Sequence, residues 1–270
     1  SVPTLEADRL ITILSPTVGK FRAIVKGARR IKSRLGGHLD VLNRVTLNLV
    51  TGRNFEVVTG TEAIETFGVI KTSLERLAQA LYLTELAERM TPERDPQHGS
   101  FAILLNGLRY INSQGTNLAV VRYLEFQMLS DSGYLPELNF CVKCSQPVGE
   151  GPFSFSPDQG GVLCRDCAKA TVMAVPLSIM SLKVLRFFSK QGFNNAVKVA
   201  LPEGVNQELA LLMRGSIYAV LDQEIASSEF LQRARQAIAV TQGDHPENSN
   251  GDEGFLSEAE DPSVVNPNKY

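Results

Sequence analysis

Apolar and polar positions alternate along the first part of the chain, which is the pattern of half-buried β-strands. The alternation runs through residues 21–25, 45–49 and 55–59, and turn residues such as Thr51-Gly52-Arg53-Asn54 separate these segments. Short strands with frequent turns are typical of an antiparallel sheet. We therefore predict a sheet over residues 1–68, most economically a small barrel.

From Ile70 the apolar period changes to steps of three and four, the spacing of amphipathic helices. Thr91-Pro92 and Gly133 are natural helix stops. Stretches with this helical spacing of apolar residues cover residues 70–90, 101–111, 117–132, 178–190 and 207–238. They predict a helical domain made of residues 69–140 and 168–242, so the expected fold class is α+β.

The composition is that of an ordinary globular protein, with 43% hydrophobic and 21% charged residues over 270 positions. No apolar run approaches the roughly 18 residues of a membrane span. Residues 1–14 lack the basic region and apolar core of a secretory signal. We therefore expect a cytoplasmic protein that does not enter a membrane.

Charge is distributed unevenly along the chain. Residues 243–270 contain seven acids and one base, a net charge of -6. Subtracting them from the totals leaves 26 bases and 22 acids in the first 242 residues, a net charge of +4. The acidic stretch has few large apolar residues and predicts a disordered tail. The rest of the protein is basic, although the whole chain carries -2.

All four cysteines lie between two of the helical stretches. Cys141 and Cys144 form one C-x2-C pair, and Cys164 and Cys167 form a second after 19 residues. Each pair can present two thiolates to one ion, and Zn²⁺ prefers four such ligands in a tetrahedron. Structural disulfides and a redox dithiol are the alternatives; the expected compartment opposes the first and the paired arrangement opposes the second. The spacing predicts a structural zinc module over residues 141–167, with one ion per chain.

A run of cations lies inside the predicted barrel, with seven bases in fifteen residues and no acid. Such a run can contact successive phosphates, and small barrels of this kind often bind single strands. A solvated charged face is the alternative. Phe21 is expected in the core because it alternates with Arg22. The candidate nucleic-acid contacts are Lys20, Arg22, Lys26, Arg29, Arg30, Lys32 and Arg34.

Signals for catalysis are weak in this sequence. The histidines His38, His98 and His245 stand apart from any recognisable motif, and Lys32-Ser33 lacks the preceding glycines of a phosphate-binding loop. A metal-dependent nuclease would need an open or carboxylate-bound metal, which four thiolates do not provide. We expect a protein that binds rather than catalyses.

Several segments in this order resemble the bacterial RecO recombination mediators. Those in the N-terminal part are Leu14 to Lys20, Val25 to Arg30 and Lys32 to Leu35. Those in the helical part are Leu74 to Leu83, Arg122 to Glu125, and Gly133 to Leu138, which runs directly into Cys141. The similarity covers about residues 5 to 235.

The resemblance implies an N-terminal OB-fold, a helical domain and a four-cysteine zinc module inserted in it. It also implies a non-enzymatic protein that binds single- and double-stranded DNA and anneals complementary strands. Such a protein acts on DNA covered by single-strand-binding protein and works with RecR to load the recombinase, in association with the nucleoid. A zinc-stabilised scaffold that docks proteins without binding nucleic acid is the alternative.

Two features depart from the family pattern. The family has another strand before the region matching Ala7 to Leu10, so we expect the barrel to lack its first strand and to leave a sheet edge unpaired. Near the end, the chain keeps Phe230-Leu231 but has Ala226 and Ser227 where a basic residue is common.

Overall fold

The computed structural model describes residues 8–27, 39–96, 98–149 and 151–243. The fold is α+β, as predicted, with an N-terminal sheet, a helical body and a second small sheet beside the cysteines. Residues 244–270 of the predicted tail lie outside the described residues. Within the described ranges, no helix is both long and apolar enough to span a membrane.

Four strands form the N-terminal sheet in the order β1-β2-β4-β3. All neighbouring strands are antiparallel except β2 and β4, which are parallel. On β2, Phe21, Ala23 and Val25 are buried and Arg22 is exposed, which confirms the predicted alternation. The strands are β1 (Arg9–Ser15), β2 (Gly19–Val25), β3 (Arg44–Val50) and β4 (Glu56–Glu65).

The sheet is open within the described residues, so the closed barrel predicted from the alternation is not formed by them. The strands β1 and β3 are its two edges, and no described strand joins them. Ile11 and Ile13 on β1 and Val45 and Leu47 on β3 are only partly buried against the small core. The physical reason is that closure needs one more strand to pair with both edges.

The helical body packs around a continuous apolar core that also reaches the second sheet. Its longest helices are α2, α3, α4, α8 and α9. The helices are α1 (Gly68–Lys71), α2 (Leu74–Met90), α3 (His98–Gln114), α4 (Leu118–Asp131), α5 (Arg165–Lys169), α6 (Ile179–Lys190), α7 (Phe193–Ala196), α8 (Glu203–Leu221) and α9 (Ala226–Gly243).

Two of the predicted helical stretches are each divided in two. The first breaks before α2, where the Ser73 hydroxyl accepts a hydrogen bond from the Arg76 N–H and caps the new helix. The second breaks after α8, where Asp222 takes the left-handed conformation with φ 52°. Apolar periodicity continues across both breaks, so it could not reveal them.

The second sheet has the strand order β6-β5-β7 and is antiparallel throughout. A hairpin lies between the two cysteine pairs, in which β5 pairs with β6. The sheet continues past the predicted limit at residue 167, because β7 pairs with the other edge of β5. Its strands are β5 (Phe153–Ser156), β6 (Gly161–Leu163) and β7 (Val175–Leu177).

Candidate metal centre and nucleic-acid interface

The four cysteine Sγ atoms all lie within 4.8 Å of one another. Cys144 Sγ and Cys164 Sγ are 3.8 Å apart, whereas a disulfide bond would bring two sulfurs to about 2.05 Å. A tetrahedron with Zn–S bonds of about 2.3 Å has edges of about 3.8 Å. The donor set therefore fits a four-thiolate zinc ion.

Two local turns place these sulfurs. The Ser145 N–H donates to the Cys141 carbonyl over 2.8 Å, and Ser145 itself is left-handed with φ 58°. Cys164 is the N-cap residue of α5, and the Ala168 N–H donates to its carbonyl over 2.9 Å. Each C-x2-C pair thus bends its backbone so that both thiols face the same point.

The thiols differ in how readily they ionise. Burial opposes ionisation of Cys141, but hydrogen bonds from the backbone of Cys164, Cys144 and Lys143 outweigh it and lower the pKa of Cys141 to about 6. Hydrogen bonding to the Cys164 thiol, followed by burial, raises the pKa of Cys167 to about 12. Adjacent thiolates repel one another, so four of them are compatible only with a cation between them.

The cysteine cluster is joined to the helical body. Cys141 is 1% exposed and belongs to the same core as Phe155 and Leu163. Nε and Nη2 of Arg186 on α6 donate to the Leu138 carbonyl over 3.1 and 2.7 Å. Loss of the metal would therefore disturb the packing of the body as well as the turns that hold the cysteines.

The predicted nucleic-acid contacts differ in their surroundings. Lys20 Nζ donates to the Glu88 carbonyl at the end of α2 over 2.5 Å, so it lies against the helical body. Arg22 is 3.2 Å from Glu93 and lies over the Phe55 ring, with 46% of its side chain exposed. Lys26 is exposed and has no ion-pair partner among the described residues. The other four, Arg29, Arg30, Lys32 and Arg34, lie outside the described residues.

The strand β2 thus carries cations and also contacts the helical body. We call this contact between the N-terminal sheet and the loop after α2 the joint. The Arg94 N–H donates to the Lys20 carbonyl over 2.8 Å, and Arg94 Nη2 is 2.6 Å from Glu56 Oε1. These contacts hold the beginning of β2 and β4 against the loop after α2. Lys26 directly follows the other end of β2, after Val25.

A further cation was missed by sequence reasoning. Arg53 is exposed in the turn between β3 and β4, and no ion pair to it occurs in the part of the chain that the structure describes. The next aromatic residue, Phe55, is the ring beneath Arg22. Arg53 stands alone between Gly52 and Asn54, so a search for charge runs passes over it. Its position in a turn between two strands was the available signal.

The fold and the cysteine centre define a two-part α+β protein, with an N-terminal sheet and a helical body that carries four clustered cysteines. Family profiles give the same division. The profile described as Recombination protein O N terminal matches residues 1–67, and the profile described as Recombination protein O C terminal matches residues 71–229.

Curated relatives are similar over most of this chain. The DNA repair protein RecO of Roseiflexus sp. (strain RS-1) is 34% identical over 87% of this chain and 83% of its own length. The DNA repair protein RecO of Dehalococcoides mccartyi (strain CBDB1) is 32% identical over 86% of this chain and 91% of its own length. The chain belongs to the RecO family, as the sequence predicted, and this membership supports a role in DNA repair and recombination.

Proposed function

We propose that this protein is a non-enzymatic recombination mediator that binds and anneals single-stranded DNA. In this proposal it acts on strands covered by single-strand-binding protein and, together with RecR, loads the recombinase onto them. The observation that carries the proposal is the run of cations from Lys20 to Arg34, which begins on β2 of the N-terminal sheet, in a chain of the RecO family. RecR, single-strand-binding protein and double-stranded DNA enter as partners through family membership.

The topology supports an OB-type DNA surface. The order β1-β2-β4-β3, with β2 and β4 parallel, corresponds to four of the five strands of an OB-fold. Proteins of this fold bind oligonucleotides on the sheet face and the loops beside it. The turn that holds Arg53, between β3 and β4, is such a loop.

The proposed path for DNA follows β2. Arg53 lies near its beginning, the exposed part of Arg22 over Phe55 comes next, and Lys26 follows at its end. From residue 22 to residue 26 a strand rises by about 13 Å. The predicted cations Arg29, Arg30, Lys32 and Arg34 would extend this path. Lys20 serves instead to hold the sheet against the helical body.

We further propose one structural Zn²⁺ per chain, held by Cys141, Cys144, Cys164 and Cys167. Four protein thiolates fill its coordination shell, so the ion would stabilise the fold without activating water. The distances between sulfurs and the readily ionised Cys141 support this assignment.

The test is fluorescence anisotropy with a labelled single-stranded oligonucleotide, titrated at several salt concentrations. If about five phosphates are contacted, the log–log slope of affinity against salt should be near -3.5, at about -0.7 per phosphate. Reversing Arg29, Arg30 and Lys32 to glutamate should weaken binding and flatten that slope. A control with the same change in charge reverses exposed bases of the helical body that are paired with acids: Lys169, Arg214 and Arg233.

Equal affinity of the triple variant and the wild type would remove the N-terminal sheet as the DNA surface. If the wild type binds partner proteins but shows no DNA affinity at physiological salt, the scaffold function replaces the mediator function.

A second test measures strand annealing by the wild type on DNA covered by single-strand-binding protein, with and without RecR. Failure to anneal under either condition would contradict the mediator proposal.

A further inference from the structure

We propose that the helical body carries a second binding surface for single-stranded DNA, formed by the outer face of α6 and the turn that follows it. This surface rests on the proposed function, because annealing needs two strands to be held together. The N-terminal sheet would hold one strand, and α6 the other.

The charge of this part of the chain is one-sided. Residues 178–202 contain four bases and no acid. The bases are spread out rather than clustered, so no local charge run marks them. They are Lys183, Arg186, Lys190 and Lys198.

Helix α6 directs part of this charge outward. Met180, Lys183, Phe187 and Lys190 are exposed and recur at steps of three and four, so they form one stripe along the helix. The opposite face is buried in the core through residues such as Phe188. The register of the stripe is therefore fixed by packing.

The two lysines on this stripe are uncompensated. In the ranges that the structure describes, neither Lys183 nor Lys190 has an ion-pair partner or a side-chain hydrogen bond. Seven residues of helix separate them by about 10.5 Å. Two cations at this separation suit a polyanion that runs along the helix.

Two carboxylates beside α6 already have hydrogen-bond donors: Glu137 precedes Leu138, whose carbonyl Arg186 binds, and Glu208 bonds to the first turn of α6. Oε1 of Glu137 accepts hydrogen bonds from the Asn139 and Phe140 N–H groups. Glu208 accepts from the Ser178 N–H over 2.9 Å and from the Ser181 hydroxyl, at the first turn of α6. Neither carboxylate is bonded to the two lysines, so the stripe stays positive.

An aromatic ring lies on the same stripe as these charges. Phe187 stands between the two lysines along α6 and is 38% exposed. An exposed ring between cations is a surface on which a base of a single strand stacks.

A polar cleft follows directly after α6. It has a volume of about 570 Å³ and is lined by Asn106, Asn194, Asn195 and Phe193 with Gly192. Amide side chains both donate and accept hydrogen bonds, as the edges of unpaired bases require. An acidic peptide would also be attracted by the lysines, and its backbone could pair with the amides. The exposed Phe187 ring between the two lysines favours single-stranded DNA as the occupant, because bases stack on such a ring.

The test compares the full-length wild type with K183Q/K190Q and, separately, F187A. The control R214Q/R233Q removes two exposed charges from the helical body that already have acidic partners. Two short, non-complementary oligonucleotides with different dyes are titrated together, and energy transfer reports their joint binding to one chain. Annealing of complementary strands is measured in parallel, and thermal unfolding checks that each variant is folded.

We expect two oligonucleotides per chain for the wild type and the control, and one for K183Q/K190Q. Annealing by K183Q/K190Q should slow about tenfold, and the salt slope at this site should fall by about 1.4, from two lost phosphate contacts. F187A should also lose joint binding, through loss of stacking without a change in charge.

Three results would overturn this second surface. If K183Q/K190Q binds two oligonucleotides per chain and anneals strands at the wild-type rate, the second surface is rejected and the mediator function is unaffected. Loss of binding to an acidic peptide, with joint DNA binding unchanged, would reassign the face to a protein partner. A wild-type chain that binds no DNA at all would reject the mediator function and this surface together.

Discussion

At the scale of single residues, Gly19 and Glu65 control how the N-terminal sheet meets the helical body. Gly19 has φ +76°, and a Cβ there would lie 2.1 Å from the Asp95 carbonyl oxygen. Glu65, at the end of β4, accepts from Arg109 on α3 over 2.9 and 2.6 Å and from Arg44 over 2.6 Å. They lie at opposite ends of the sheet and fix the orientation of the proposed DNA surface.

Substituting Gly19 by alanine should destabilise the protein by about 1–3 kcal/mol, because the new Cβ is both strained and blocked by backbone. Urea unfolding measures the change. Gly68→Ala is the matched control, since a Cβ at Gly68 meets nothing within 4 Å. Equal stability of G19A and wild type would show that the backbone at Asp95 moves to accommodate the new Cβ at little cost in free energy.

Stability should fall in acid partly through Glu65. Hydrogen bonding to Arg109 is the largest cause that lowers the pKa of Glu65 from 4.5 to about 2, with burial acting against it and Arg44 adding to it. Because the folded pKa is lowered, the stabilisation is complete above about pH 5 and is lost as pH falls from 4.5 towards 2.

The E65Q variant should therefore be less stable than wild type at pH 7, by about 1–2 kcal/mol once partial exposure is allowed for. The difference should shrink towards zero near pH 2. Urea unfolding at several pH values measures it, with the exposed Glu62→Gln on the same strand as control. A difference that does not change with pH would contradict the proposed ion pairs.

At the scale of elements, α9 depends on a carboxylate from α2. Glu85 accepts hydrogen bonds from the Ala226 N–H over 3.0 Å and from the Ser227 N–H and hydroxyl over 2.8 and 2.6 Å. It thus caps the first turn of α9 from a neighbouring helix. Ser227 takes part in this structural contact through both its backbone N–H and its hydroxyl.

Removing that cap with Glu85→Ala should loosen α9 by about 1–2 kcal/mol, because two backbone N–H groups and a hydroxyl lose their acceptor. Hydrogen exchange of residues 226–243 should increase while exchange in α4 stays unchanged. Glu88→Ala, an exposed acid on the same helix, is the control. Exchange that is equal in both variants would show that packing alone holds α9.

The cysteine module is a second element whose stability can be tested separately. Elemental analysis should find one zinc per wild-type chain. Cys144 is exposed, so Cys144→Ala removes a ligand with little loss of packing. We expect loss of zinc and a decrease of about 2 kcal/mol or more in the free energy of unfolding. Gln146→Ala, in the same turn, should change neither the zinc content nor the free energy of unfolding. Four thiols that titrate freely in protein purified without chelator would contradict the metal assignment.

At the scale of the whole molecule, opposite charges are separated along the chain. Residues 244–270 carry -6, and the rest of the chain carries +4. Opposite charges on one chain attract when both are exposed, so the acidic segment should compete with DNA for the basic surfaces.

Deleting residues 244–270 should raise the affinity for single-stranded DNA several-fold at low salt, since the net charge changes from -2 to +4. The gain should disappear at high salt, where exposed charges are screened. Anisotropy titrations at two salt concentrations measure both effects. Equal affinities of the two proteins at low salt would show that the acidic segment does not compete.

The sequence by itself determined the family, the α+β class and the cysteine centre. These depend on local spacing, which is visible in the chain: two C-x2-C turns bring two sulfurs each to one point, and period-two alternation places Phe21 inside and Arg22 outside. The resemblance to the RecO family added the order of the sheet, the helical body and the cysteine module along the chain. The order of motifs is preserved even when individual residues change.

Only the tertiary structure decided which basic side chains contact other parts of the chain and which are exposed. Lys20 and Arg22 belong to one cation run, but their partners Glu88 and Glu93 lie about seventy residues away, so no local pattern shows that both lie at the joint. Lys183 and Lys190 show the reverse case, since their exposure follows from which face of α6 packs inward. Contacts between distant segments set burial and pairing, and those contacts exist only once the chain is folded.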